Sequence, residues 1–75
     1  MELTGKDLQI YRFAHGLTRQ DLADRLEISY PYVALIERDE CRIPKDRETD
    51  IRNRLGLSDY RLAKLRKIME QLRSV

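Results

Sequence analysis

The chain is predicted to be all-α, a single domain of five helices. Three observations predict this. Apolar residues recur three or four apart in five separate stretches, the spacing that puts side chains on one helical face. They are Leu8 and Tyr11, Leu22 and Leu26, Val33 and Ile36, Ile51 and Leu55, and the run Leu62, Leu65, Met69 and Leu72. A hydroxyl residue able to accept from backbone N–H groups precedes four of these stretches, at Thr4, Thr18, Ser29 and Ser58. Gly16 and Gly56 stand where two of the helices should stop.

The first helix is expected over 4–15. Thr4 caps it, and Asp7 places a negative charge in its positive first turn. Leu8 and Tyr11 form its core stripe. His15 lies next to the stop glycine, a favourable place for a cation. The second helix spans 19–26, with Thr18 as cap and Asp21 as its capping-box partner. Leu22 and Leu26 share a face, and Ala23 beside them is small enough to admit another helix.

The third helix is expected at about 30–38. Ser29 caps it, and Pro31 lies in the first turn, where its missing N–H costs little. Val33 and Ile36 face inward, with Ile28 of the turn joining the apolar set. Tyr30, Pro31, Ala34, Leu35 and Arg38 face outward. Two short helices joined by three or four turn residues describe a helix-turn-helix. The motif occupies about 18–38 of a domain spanning 1–75.

A polar loop follows at 39–43, and Pro44 closes it before a fourth helix at roughly 45–55. Ile51 and Leu55 face the core, Gly56 ends the helix, and Leu57 packs beside it. Ser58 caps a last amphipathic helix at about 59–73. Tyr60, Ala63 and Ile68 widen its apolar face, while Arg61, Lys64, Arg66, Lys67 and Arg73 make the other face basic. Two readings of its stripe stand side by side. Leu62, Leu65, Met69 and Leu72 either fold onto this chain's own core or form a dimer contact between two copies. A third, weaker reading makes the basic amphipathic helix a membrane-surface element.

Seventy-five residues make one domain, and a chain of that size buries only about 60% of its unfolded surface, so stability is marginal unless it dimerises. Its one cysteine, Cys41, excludes an intramolecular disulfide, and the chain lacks the ligands of a metal site. With one histidine and no Gly-rich phosphate loop, the sequence carries no catalytic constellation. The expectation is a protein that is not an enzyme and needs no cofactor. No apolar run approaches the roughly 20 residues of a membrane span, and no secretory signal pattern is present, so a cytoplasmic location is expected. Net charge is +2, unevenly spread. Residues 1–40 carry five basic and eight acidic side chains, whereas 41–75 carry ten basic and five acidic. The positive charge that a phosphate backbone would need lies therefore largely outside the third helix.

The stretch 17–38 resembles the helix-turn-helix of the phage repressor, Cro and Xre group of bacterial DNA-binding proteins. The resemblance rests on Leu17-Thr18, Leu22-Ala23, Leu26, Ile28, Ser29, Val33 and Ile36-Glu37. It extends through the Pro-helix-Leu-Gly-apolar-Ser ending to residue 58. One position departs: Glu27 stands where the family has glycine in a left-handed turn, at a cost of about 1 kcal/mol.

The resemblance implies a lambda-repressor-like fold and a sequence-specific transcriptional regulator, phage or bacterial, repressor- or Cro-like. Its partner is double-stranded DNA, and it acts as a homodimer on half-sites about 34 Å apart. A regulatory protein partner is a further possibility. Tyr30, Pro31, Leu35 and Ala34 fall at base-reading positions, and Arg19 at a phosphate position, helped by the helix N-terminus. Arg38, Arg42 and Lys45 are further phosphate candidates, and Tyr32 either packs on the scaffold or bonds a phosphate. Arg12 and Glu37 are expected to pair between the first and third helices. The base-reading set lacks Arg, Asn and Gln, so readout would depend on thymine methyl groups and DNA shape. The alternative is a protein-interaction module that docks a partner on the Tyr30, Pro31, Tyr32 and Leu35 patch.

Overall fold

A computed structural model describes residues 1–73, and of Arg73 only the backbone; residues 74 and 75, counted above in the domain, lie outside it, as does the side chain of Arg73 on the proposed basic face. The described chain is all-helical. Its helices are α1 (Gly5–Ala14), α2 (Arg19–Leu26), α3 (Tyr30–Glu37), α4 (Lys45–Leu55) and α5 (Asp59–Arg73). They pack into a body of 33 × 22 × 21 Å. α1 lies against both α3 and α5, and α2 against both α3 and α4.

Each predicted cap is present. The Thr4 and Thr18 hydroxyls accept from Asp7 N and Asp21 N, and both acids complete capping boxes. Ser29 Oγ accepts from Tyr32 N, and Ser58 Oγ from Arg61 N, each at 3.3 Å. The helix stops share one geometry. After α1, α2, α3 and α4 a single left-handed residue turns the chain, and the next residue's N–H donates back into the last turn. Glycines 16 and 56 serve α1 and α4, whereas α2 and α3 end on acids, Glu27 at φ 55° and Asp39 at φ 61°. Asp39 carried no sequence signal for this role.

The core centre is Leu8, Leu22, Val33, Ile36, Ile51 and Leu62. Ala23 is fully buried, and a very close helix approach lies at Gly5. A Cβ on Gly5 would lie 1.8 Å from the Ile36 carbonyl oxygen, so α1 meets α3 backbone to backbone. Ile28, Tyr32, Cys41 and Ile43 are partly buried around this centre.

The stripe on α5 divides. Leu62 and Leu65 belong to the intramolecular core and are not open to a second copy, which corrects their reading as dimer contacts. The reason is that α5 packs on α1 and needs these two leucines to close the core. Met69 is half-buried, while Ile68 and Leu72 are 46% and 68% exposed. Tyr60 and Ala63 are exposed and do not widen the packed face. Arg66 also leaves the solvated basic face: its Nε and Nη2 donate to the buried Asp7 carboxylate at 3.0 and 2.9 Å.

Candidate nucleic-acid interface

α3 is eight residues long and follows α2 after a turn of three residues. Ser29 caps it and Pro31 stands in its first turn. Its buried side is Val33, Ala34, Ile36 and Glu37. Its other side exposes Tyr30, Pro31, Leu35 and Arg38. Ala34 is therefore corrected: at 8% exposure it lies inside, not on the outward edge. It shares a helical face with Glu37, three residues on, and Glu37 is drawn inward by its cation partners.

Glu37 holds this corner together. Arg12 Nε and Nη2 donate to its two oxygens at 3.0 Å each, and the Glu37 side chain is fully buried. Arg12 Nη1 also donates to the Leu17 carbonyl at 3.3 Å, fixing the chain just before α2. The Arg12–Glu37 pair joins α1 to α3 as expected. Arg19 joins the same carboxylate, with Nε 3.4 Å from Oε1 and its side chain one-third exposed. Hydrogen bonding to Tyr30, and then to Glu37, raises the Arg19 guanidinium above its usual value. Arg19 is engaged within the protein, with an edge facing out.

The other phosphate candidates fare differently. Tyr32 packs against the core edge, with the Arg47 guanidinium 5.5 Å from its ring centroid. Arg47 and Tyr32 line a shallow hollow together with Glu27, Ile28 and Ser29, beside the start of α3. Nothing local to the sequence of α4 shows that Arg47 lies over the Tyr32 ring. Arg42 and Lys45 are exposed but border a different hollow, lined also by Met1, Glu2 and Glu48. Arg38 pairs with Glu40 at 3.0 Å, both roughly half-exposed. Glu27 meets Arg54 at 2.7 Å, which removes one negative charge from the turn preceding α3.

Among the described residues no cluster of His, Cys, Asp and Glu is arranged to hold a metal ion. None of the helices among the described residues is long and apolar enough to cross a membrane. The exposed side of α3 is an apolar edge carrying the Tyr30 hydroxyl, with guanidinium and ammonium groups nearby. Compared with family models, curated proteins and solved structures, the chain matches none of them.

Proposed function

We propose that this protein is a sequence-specific regulator that binds double-stranded DNA. α2 and α3 would act as a helix-turn-helix of the lambda-repressor-like kind, with α3 entering the major groove. The observation that carries the reading is the asymmetry of α3. One side is locked by Val33, Ile36 and the Arg12–Glu37 pair, while the opposite edge offers Tyr30, Pro31 and Leu35 to solvent. A helix with its side chains is about 10–12 Å across, which fits a major groove about 12 Å wide.

In this role Tyr30 donates to a base-edge acceptor, and Leu35 and Pro31 meet thymine methyl groups. Arg47 reaches phosphate beside the start of α3, and Arg42 and Lys45 supply further positive charge. Displaced counterions would make binding strongly salt-dependent. A homodimer on two half-sites about one DNA turn apart is part of the proposal.

The test is selection of bound duplexes from a random pool. Enrichment of a two-fold symmetric site, with affinity falling steeply as salt rises, is the expected result. An unenriched pool with a flat salt response would favour the second reading, a partner-binding module. That reading draws on the exposure of Tyr30 and Leu35, 44% and 37%.

A further inference from the structure

A groove away from α3 has no part in the proposed DNA contact. It lies where the end of α1, the end of α4 and the middle of α5 meet. Ala14, Leu55, Leu65 and Ile68 contribute its apolar lining. Gly56 and Leu57 line it at the end of α4. Leu55 and Leu65 are nearly buried, but Ile68 is 46% exposed, so the floor is packed and one wall is bare.

The charge around it has one sign. His15, Arg61 and Lys64 line the groove, and no carboxylate does. Arg61 and Lys64 enter no ion pair among the described residues, a state they share with Lys6, Arg25, Arg42, Lys45, Arg47 and Lys67; what sets them apart is their place at the rim of an apolar trough. Lys64 instead lies 5.1 Å over the exposed Tyr60 ring. An apolar trough with an uncompensated basic rim fits an amphipathic acidic segment. Such a segment buries its apolar side chains on Ile68 and Ala14 and sets its carboxylates against Arg61 and Lys64. A second copy docking groove to groove would bring the same cations together and be repelled.

We propose that this groove, formed by α1, α4 and α5 and rimmed by Arg61 and Lys64, docks an acidic amphipathic helix of a partner protein. The site shares no residue with the α3 edge, so it stands or falls independently of DNA binding.

The probe is a synthetic helical peptide with leucine at i, i+3, i+4 and i+7 and glutamate at the other positions, alongside a version with lysine in place of glutamate. Titration by fluorescence anisotropy should show binding of the acidic peptide alone. Ile68→Ser, at an exposed position that leaves the core intact, should weaken it about tenfold or more, and so should the Arg61→Glu, Lys64→Glu double variant. Leu35→Arg and the Arg42→Ala, Lys45→Ala pair should leave it unchanged. Equal binding of both peptides, or of wild type and Ile68→Ser, overturns the proposal. So does a dimer in solution that Ile68→Ser dissociates, which would give the groove to a second copy. Binding to phosphatidylserine vesicles that Ile68→Ser abolishes would give it to a lipid surface instead, with the same consequence.

Discussion

Arg12 and Glu37 meet side-on, Nε to Oε2 and Nη2 to Oε1, each at 3.0 Å, and so fasten α1 to α3 at the corner where α2 begins. Breaking a buried pair of this kind strands the remaining charge and costs about 3–5 kcal/mol. Glu37→Ala leaves both Arg12 and Arg19 without their shared carboxylate, and Arg12→Ala leaves Glu37 buried beside Arg19 alone. Both single variants should lower the urea midpoint sharply. The Arg12→Met, Glu37→Leu double variant should recover most of the loss, because no buried charge is then left. Additive losses in the double variant would show that the pair is not the source.

Gly5→Ala should be among the most damaging small substitutions in the chain. Its methyl group would meet backbone, the Ile36 carbonyl, which cannot swing aside as a side chain can. Separating α1 from α3 costs about 3 kcal/mol or more, a large part of the stability of a small domain. Circular dichroism melts check this; an unchanged melting temperature would mean that the two helices do not approach so closely.

Glu27→Gly should stabilise. The left-handed residue at φ 55° is released from a penalty of about 1 kcal/mol. The lost ion pair to Arg54 is with an exposed carboxylate and offsets little of this gain. For a domain of this size a gain of about 1 kcal/mol raises the melting temperature by about 4–8 °C. A lower melting temperature would show that the Arg54 contact matters more than the backbone conformation.

Acid should unfold the protein partly through Asp7. Burial alone would raise this carboxyl, but hydrogen bonds from Arg66 and Thr4 outweigh it and hold it below its ordinary 3.8. A carboxylate lowered in the folded state stabilises fully above its unfolded value. That contribution disappears as pH falls from there through the folded value. Asp7→Asn should therefore flatten the fall in stability below about pH 4. An identical acid profile in wild type and Asp7→Asn would remove Asp7 from this role.

Leu35→Arg should change which duplexes are selected from a random pool, whereas Arg47→Ala should weaken binding to all sequences alike and reduce the salt slope by about one. Identical selected sites for wild type and Leu35→Arg would take Leu35 out of base reading.

Local signals made the helices legible. Caps at Thr4, Thr18 and Ser29, stops at Gly16 and Gly56, and apolar spacing of three and four act within one or two turns of chain, so their outcome needs no knowledge of the rest. The Arg12–Glu37 pair was reached by resemblance, and the structure places those two groups in contact. What lay beyond the sequence was every question of which helix face meets which neighbour. Ala34 reads as outward until the buried Glu37 fixes the roll of α3. Leu62 and Leu65 read equally as dimer or core until α1 covers them, and Arg66 reads as solvated until Asp7 turns out to be buried beneath it. Arg47 becomes relevant to α3 only because α4 stacks it over Tyr32. Periodicity determines that a helix has an apolar side. Only the packing of the five helices around one core decides how much of that side is covered, because burial is a property of pairs of elements far apart in the chain.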